Sequence, residues 1–366
     1  MISTDYKRAF IISDTHFGVR NSSTEWLEIT KDYFQNFFIP LLKRESKPGD
    51  FVLHCGDVFD SRHSLNLLVM NEALTIFEEI SSILPIVIIL GNHDVYRKET
   101  NDINSAKILK WIPNITVHEE PEVMKVANNK LLLMPWRKNV EEENACITSH
   151  EADYLFCHTD VKGLKFNKFT EVENGLDLSI MSKFKKVYSG HIHFAQSRKN
   201  FRMVGCPYQL TRSDMYNEKG IWLVDFEKDS EVFFKNDRSP NFMRILFEKI
   251  LEMEVKEVND MFRNNFVDIL VHPKWSLNFP FSSFSEELIG YKKMEFIPRA
   301  TEVDSDGNDI LDNGTTLENF DVITLSEKVI NGTSHSEELK ENLKKTVKKL
   351  YENVLKANMN EYENKN

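Results

Sequence analysis

The chain has 366 residues, of which 41% are hydrophobic, enough for a real core in one large domain or in two to three smaller ones. No apolar stretch approaches the length of a membrane span and no signal peptide is evident, so we expect neither a membrane protein nor a secreted one. The net charge is −11, but residues 301–338 hold ten acids and one lysine, so the remainder is nearly neutral and binding to DNA is not excluded. Four cysteines without a CxxC pair predict reduced thiols in a reducing compartment, the cytoplasm.

Five short apolar runs predict buried strands. In chain order they occupy residues 10–12, 51–53, 86–90, 154–156 and 187–188. Each run precedes a motif rich in potential metal ligands. The motifs are Asp14-Thr15-His16, Gly56-Asp57, Gly91-Asn92-His93-Asp94, Cys157-His158 and Gly190-His191-Ile192-His193. Because sites in α/β sheets form beyond the carboxyl ends of strands, we expect the motifs to converge on one rim.

Helices are predicted between the strands at residues 23–44 and 64–83, and Ser64 is the expected N-cap of the second helix. Alternating strands and helices favour an α/β core. Beyond residue 240 the pattern changes to a small α/β unit. Its predicted strands are 243–254, 266–272 and 292–297, and its predicted helices are 255–264 and 280–291.

The C-terminal part divides into an acidic segment, residues 301–335, which predicts a linker, and residues 336–366, which predict a helix. An apolar stripe follows one face of this helix at spacings of three or four residues. The stripe comprises Leu339, Leu343, Val347, Leu350 and Val354. A free helix with such a stripe needs a surface that buries it. Docking on its own domain and binding to a partner both stay open, and we favour a partner.

The five motifs together indicate a site for two metal ions. Any single motif occurs by chance, but five in order after strands favour chemistry over coincidence. Imidazole with carboxylate suits Mn, Fe or Zn, whereas an all-oxygen site suits Mg or Ca. Two ions about 3.5–4 Å apart polarise a phosphoryl oxygen and generate hydroxide from water near neutral pH. His93 is the candidate proton donor to a leaving oxygen.

The ordered motifs resemble the calcineurin-like metallophosphoesterase superfamily. Further segments are similar to one branch of it, the nuclease subunits that partner a coiled-coil ABC-type ATPase in double-strand-break repair. These segments are Asp57-Val58-Phe59-Asp60-Ser61-Arg62, Met134-Pro135-Trp136 and Gly205-Cys206-Pro207-Tyr208-Gln209-Leu210-Thr211. The resemblance covers residues 7–240 well and the remainder weakly.

The resemblance implies a set of ligands for each ion. The first ion takes Asp14, His16, Asp57 and His193, and the second takes Asp57, Asn92, His158 and His191, with Asp57 as the bridge. His93 is the implied catalytic residue. Cellular members place a histidine three residues after the bridging aspartate, where this chain has Asp60. Whether Asp60 or the nearby His63 takes that positioning role stays open, and Arg62 and Asp94 are further candidates for supporting or substrate contacts.

The resemblance also implies an architecture and an activity. The fold is a two-sheet sandwich flanked by helices at residues 1–240, followed by a capping, DNA-contacting domain at 241–300, the acidic linker and the partner-binding helix. The activity is a Mn-dependent DNA exonuclease with endonuclease activity, acting in recombination, repair and replication, with Mg, Fe or Zn as other possible metals. The implied partners are DNA, the ATPase and a second copy of the chain. Two alternatives are a phosphoesterase for a small nucleotide or phosphoprotein, and a weakly catalytic scaffold that activates the ATPase.

Overall fold

The structure, a computed structural model, describes residues 2–97, 100–168, 170–272, 275, 281–298, 330, 336–337 and 339–347. The chain divides into two compact units. Unit 1 comprises Met1–Ile245, Ile250–Ile269 and Phe281–Glu295, and it contains all the candidate metal ligands. Unit 2 comprises Leu246–Lys249, Leu270–Pro280 and Phe296–Asn366.

Two large sheets form the centre of unit 1. In the six-stranded sheet the strand order is Ser230–Lys235, Gly220–Asp225, Arg8–Ile12, Asp50–His54, Ile86–Ile89 and Ile115–His118. Its last four strands are parallel. In the seven-stranded sheet the order is Ile2–Ser3, Glu122–Val126, Asn129–Met134, Tyr154–His158, Lys186–Gly190, Phe201–Met203 and Gln196–Arg198. A separate hairpin pairs Val95–Arg97 with Thr100–Asn104.

The two sheets stack face to face, and helices cover their outer faces. Successive side chains of the Arg8–Ile12 strand point to opposite faces of the sheet and show this arrangement. Ala9 and Ile11 pack between the two sheets, whereas Phe10 and Ile12 pack against the helices. All four are buried, as expected for strands covered on both faces. The predicted α/β fold, a two-sheet sandwich flanked by helices, is therefore confirmed.

The first long helix has a change of pitch that the sequence explains. Thr24–Tyr33 and Ile39–Glu45 are α-helical, and Phe34–Phe38 between them is a π-helical segment. Pro40 lacks the N–H that an α-helix would donate to Asn36, and its ring clashes with that carbonyl, so the helix widens just before it. The prediction of a helix at 23–44 therefore holds in position, with one local distortion.

The second predicted helix begins later than expected. It spans Leu67–Ile83, and Asn66 caps it by accepting hydrogen bonds from the backbone N–H groups of Leu68 and Val69 at 2.9 and 3.3 Å. The prediction that Ser64 is the N-cap was wrong. Ser64 belongs to the preceding turn, where its backbone N–H donates to the Ser61 hydroxyl. The remaining helical segments in the described part of unit 1 are Val19–Ser22, Ser105–Trp111, Val140–Ser149, Leu178–Lys183, Arg212–Asp214, Val255–Phe262 and Phe281–Glu286.

A third sheet has three strands, Phe242–Leu246, Phe266–Val271 and Lys293–Pro298, in that order. The predicted strand at 243–254 ends early, because Phe247–Ile250 is a helical turn. Phe247 and Ile250 are both buried, and a spacing of three residues puts two side chains on one face of a helix, not of a strand. In unit 2, the Trp275 indole N–H donates to the Glu248 carboxylate at 3.2 Å.

The C-terminal helix is described only in part. Residues 339–347 are helical, and Leu339 and Leu343 are exposed. Leu350, Val354 and nearly all of the acidic segment lie outside the described residues. Among the helices in the described ranges, none is long and apolar enough to cross a lipid bilayer.

Candidate active site

The candidate ligands lie at the carboxyl ends of five strands drawn from both large sheets. These strands end at Ile12, His54, Ile89, His158 and Gly190. Each motif begins at its strand end or within two residues of it, so parallel strands in two stacked sheets bring all the motifs to one rim. The distances below show which side chains meet there.

Three candidate ligands in the first two motifs have strained backbone conformations. The φ angles of Asp14, His16 and Asp57 are 52°, 45° and 56°, in the left-handed region that non-glycine residues rarely adopt. Hydrogen bonds between the turns hold these conformations, from the N–H of Asp14 to the Gly56 carbonyl at 3.0 Å and from the N–H of His16 to the Asp57 carbonyl at 3.1 Å. Such outliers each cost about 1–3 kcal/mol and are typical of functional sites.

Asp57 lies between two clusters of imidazole rings. Its Oδ2 atom is 3.7 Å from His16 Nε2 on one side and 3.3 Å from His158 Nε2 on the other. Its Oδ1 atom accepts the backbone N–H of His93 at 2.7 Å. One carboxylate oxygen therefore faces both clusters while the second fixes the orientation of the group.

The first cluster contains Asp14, His16 and His193, whose potential ligand atoms all lie within 4.8 Å of one another. The Nε2 atoms of the two histidines face each other at 3.0 Å. Asp14 also accepts the backbone N–H of His191 at 3.0 and 3.2 Å, which ties the first strand turn to the last.

The second cluster contains Asp57, His158 and His191, again within 4.8 Å. The side-chain oxygen of Asn92 lies 3.0 Å from His158 Nε2 and 2.8 Å from His191 Nδ1. Asn92 thus joins this cluster. All seven ligands that the sequence indicated are brought together, in two groups that meet at Asp57.

For three of the four candidate histidine ligands, a contact to one ring nitrogen fixes which nitrogen faces the site. The other nitrogen contacts Asp60 Oδ1 for His16 at 3.1 Å, the Cys55 carbonyl for His158 at 2.8 Å, and Asp160 Oδ2 for His191 at 3.2 Å. Such outer contacts orient histidines for metal binding. Asp60 was among the predicted supporting residues. Asp160 was missed, although an acid two residues after His158, just past the strand end, was a usable signal.

His93 is oriented by the backbone. Its Nδ1 atom lies 2.7 Å from the Asp60 carbonyl oxygen, and because a carbonyl only accepts, Nδ1 carries the hydrogen. Nε2 is then the ring atom that exchanges a proton. His93 lines a cavity of about 370 Å³ together with Asp57, His191 and His193, so the ring borders the space where a substrate would lie.

Asp94 holds two ligand turns together. Its carboxylate accepts the backbone N–H groups of Asp57, Val58 and Gly91 at 2.8, 3.0 and 2.9 Å. Burial, with the nearby Asp57 carboxylate, raises the pKa of Asp94 to about 7. Gly91 is required at this junction because a Cβ there would lie 2.2 Å from Asp57 Oδ1.

Arg62 and His63 lie elsewhere. They line a neighbouring cavity of about 350 Å³, together with Tyr96, and the His63 ring packs edge-on against Tyr96 at 5.4 Å. Neither is among the residues that line the cavity containing Asp57. Of Asp60, Arg62 and His63, Asp60 is therefore the residue that contacts a candidate ligand, His16.

A buried ion pair behind His193 was not anticipated from the sequence. The Lys219 ammonium donates to Asp214 Oδ1 at 2.8 Å and to the His193 carbonyl at 2.6 Å. Asp214 also accepts the backbone N–H of Leu210 at 3.0 Å. The pair anchors the backbone of a candidate ligand, and no motif spacing marks either residue.

The site is electrostatically suited to cations. Burial opposes charge on His158, but the Asp57 carboxylate outweighs it and raises the pKa of His158 to about 9. Burial, assisted by His16, lowers the pKa of His193 to about 4. The surrounding rings hold the pKa of Asp57 well below its usual range despite burial. The Asp57 carboxylate is therefore anionic and stabilises positive charge beside it, a proton on His158 that a bound metal ion would displace. His193 is neutral at pH 7, so its lone pair is available to an ion.

The spacing of the donor atoms also fits metal ions. Facing atoms lie 3.0 Å apart between His16 and His193 and 3.3 Å apart between Asp57 and His158. Ligand atoms about 2.0–2.2 Å from a shared ion lie at about this separation from each other. Nitrogen and carboxylate donors in this arrangement suit a mid-row divalent metal.

A model of the calcineurin-like phosphoesterase family matches residues 7–232, more than half of the chain. The chain belongs to the calcineurin-like phosphoesterase family. It is a metal-dependent phosphodiesterase, a hydrolase, as the sequence predicted. Members of this family use divalent metals, which agrees with the two ligand clusters.

Three proteins show what this calcineurin-like phosphoesterase is similar to. "Exonuclease subunit 1" of Enterobacteria phage T4 is 27% identical over 232 residues, 62% of this chain and 67% of that protein. "Putative phosphoesterase 244L" of Invertebrate iridescent virus 6 is 22% identical over 281 residues, 74% of this chain and 91% of that protein. Among solved structures, an archaeal phosphodiesterase covers 63% of this chain and 99% of its own, with 15% identity and a TM-score of 0.34.

Proposed function

We propose that the protein is a DNA nuclease that hydrolyses phosphodiester bonds by a two-metal mechanism, as an exonuclease with endonuclease activity. The observation that carries the proposal is the position of Asp57, whose Oδ2 atom faces His16 on one side and His158 on the other. A carboxylate between two imidazole clusters is the arrangement expected of a bridge between two ions. The similarity to a phage exonuclease subunit supports a nucleic acid as the substrate, and we propose DNA.

The proposed ligands follow the two clusters. Asp14, His16, Asp57 and His193 hold one ion, and Asp57, Asn92, His158 and His191 hold the other. When bound, the ions supply Lewis acidity and a hydroxide near neutral pH. We propose Mn as the metal, with Mg, Fe or Zn as alternatives that the same donors accept.

His93 is the proposed proton donor. The Asp60 carbonyl fixes its Nδ1–H, so Nε2–H of the protonated ring is free to donate to the leaving oxygen of the cleaved bond. Asp57 accepts the His93 backbone N–H, so the ring is positioned by the same residue that joins the clusters. Asp60 acts through His16 and His93 as a positioning residue.

The proposed partner is a coiled-coil ABC-type ATPase, bound by the C-terminal helix. Leu339 and Leu343 on that helix are 44% and 36% exposed, as expected of a stripe that a partner covers. The phage relative is itself named a subunit, which supports an assembly. We further propose a homodimer, a capping domain at residues 241–300 that contacts DNA, and a role in recombination, repair and replication.

We also propose a cytoplasmic location, in a phage-infected or bacterial cell. Cys55, Cys146, Cys157 and Cys206 are all buried and free of disulfides. Reduced core thiols of this kind are typical of a reducing compartment.

A phosphoesterase for small nucleotides or phosphoproteins is the second candidate, because the iridescent-virus relative is named only a putative phosphoesterase. A weakly catalytic scaffold for the ATPase is the third candidate. The two clusters of potential metal ligands, Asp14, His16 and His193 and Asp57, His158 and His191, disfavour it.

The test is digestion of end-labelled duplex DNA with Mn²⁺, with and without the ATPase. We expect metal-dependent cleavage by the wild type and none by Asp57→Asn, which removes charge but little volume. Asp102→Asn, at an exposed aspartate outside the clusters, is the matched control and should cleave normally. Faster hydrolysis of nucleotides or phosphopeptides than of DNA would favour the second candidate.

A further inference from the structure

The cavity beside the ligand clusters has one large apolar wall. Eight described residues line it, and seven of them are acidic, hydroxyl-bearing or histidine side chains. The eighth is Phe166, whose side chain is 56% exposed. A phenylalanine exposed to water within a polar, metal-binding cavity is available to a ligand with a flat apolar face.

The loop that carries Phe166 is held in shape. The Gln196 side chain brackets Lys165, accepting its backbone N–H at 2.9 Å and donating to its carbonyl at 2.6 Å. The backbone N–H of Phe166 donates to the Thr170 carbonyl at 2.8 Å. These bonds fix the backbone at Lys165 and Phe166 and so hold the base of the Phe166 side chain beside the cavity.

Cations flank the phenylalanine on its own loop. Lys162, Lys165 and Lys168 lie within four residues of Phe166, and the Lys168 ammonium sits 4.8 Å above the Tyr216 ring. Lysines interleaved with an exposed aromatic ring match a polyanion that also offers flat rings. Phosphates and bases of a nucleic acid strand have this combination, whereas phosphopeptides do not require an aromatic platform.

We propose that Phe166 stacks on an unpaired nucleobase adjacent to the scissile phosphate, and that the three lysines contact the neighbouring phosphates. This rests on the proposed nuclease function and deepens it by naming the preferred substrate as an unpaired or frayed strand. In a continuous duplex both faces of each base are covered by stacked neighbours, so only an unpaired or terminal base offers a face to Phe166. Stacking on an aromatic ring tolerates every base, so we expect the site to prefer unpaired DNA over paired DNA without a preference for base sequence.

The test uses a single-stranded oligonucleotide and a series of the same oligonucleotide with one abasic residue placed at successive positions around the cleaved bond. Wild-type kcat/KM is expected to fall about 5- to 150-fold when the abasic residue occupies one position beside that bond, as for loss of one base–aromatic stack. On intact DNA, Phe166→Ala should have a kcat/KM that is lower than that of the wild type by the same factor. On the abasic DNA, Phe166→Ala should cleave as fast as the wild type. Phe166→Trp should retain activity on intact DNA.

Trp111→Ala is the matched control, since Trp111 is 88% exposed and is not among the residues lining the cavity. It should behave as wild type on every substrate. The proposal is overturned if wild type cleaves intact and abasic DNA equally, or if Phe166→Ala slows both by the same factor. A wild type that hydrolyses bis(p-nitrophenyl) phosphate but no DNA would overturn the nuclease function as well, which separates the two failures.

Discussion

Replacing Lys219 with methionine tests whether a buried ion pair holds the candidate ligand His193 in place. Lys219 and Asp214 are 4% and 2% exposed, and their charged atoms are 2.8 Å apart. Removing the ammonium leaves a buried carboxylate without a counter-ion, and the His193 carbonyl keeps only the weak donor Cys206 Sγ at 3.8 Å. Breaking a buried pair in this way costs about 3–5 kcal/mol.

Urea unfolding of the metal-free protein measures this cost. Lys219→Met should lower the free energy of unfolding by that amount, and Lys219→Met with Asp214→Asn should recover part of it, because no unpaired charge remains. Lys219→Met should also weaken metal binding measured by calorimetry, since the His193 backbone loses its anchor. Lys235→Met is the control, because the Lys235–Glu218 pair is exposed and its loss should cost less than about 1 kcal/mol.

The pair also has a defined pH dependence. Burial opposes ionisation of Asp214, but Lys219 outweighs it and holds the pKa of Asp214 below its usual range. The stabilisation is therefore present at neutral pH and is lost as pH falls through that depressed pKa. The reasoning is refuted if Lys219→Met lowers the free energy of unfolding by less than about 1 kcal/mol. It is also refuted if the double variant loses as much free energy of unfolding as the two single variants lose together.

Three other predictions concern catalysis, titration and assembly. His93→Ala should keep metal binding by calorimetry but lose about 10²–10⁴-fold in kcat on DNA, and near-normal cleavage would remove His93 from the mechanism. Burial raises the pKa of Glu143 from 4.5 to about 7, so its neutral form stabilises the fold below pH 4.5 and that contribution is lost as pH rises through 7. Glu143→Gln should therefore equal wild type in urea unfolding at pH 4 and exceed it at pH 8, and equal stability at both would contradict this. Truncation at Ser334, or Leu343→Asp with Leu350→Asp, should leave hydrolysis of bis(p-nitrophenyl) phosphate unchanged and abolish co-purification with the ATPase; undiminished co-purification would make the helix a self-docked appendage.

The sequence predicted those features that depend on local pattern. Each of the five strands that lead into a motif was visible as an apolar run. Because parallel strands bring their carboxyl ends together, the meeting of Asp57, Asn92 and His158 followed from motif order. Asp60 was also recognisable, because it lies within the same motif as Asp57.

The features that were missed depend on contacts between distant segments. The Asp160 contact with His191 requires the pairing of the Tyr154–His158 and Lys186–Gly190 strands in the correct register. The bond from Lys219 to His193 joins residues 26 apart, with two short strands and a helical turn between them, so no local pattern reveals it. The early end of the strand at Leu246 reflects an apolar run whose spacing suits either a strand or a helical turn.

The central claim is that Asp57 joins two metal ions, and anomalous diffraction from crystals soaked in Mn²⁺ tests it most directly. We predict two peaks about 3.5–4 Å apart with the Asp57 carboxylate between them. Crystals of Asp57→Ala should show neither peak at full occupancy, whereas Asp14→Ala should lose mainly the peak near His16 and His193. A single ion in the wild type, or two ions of which neither contacts Asp57, would contradict the account.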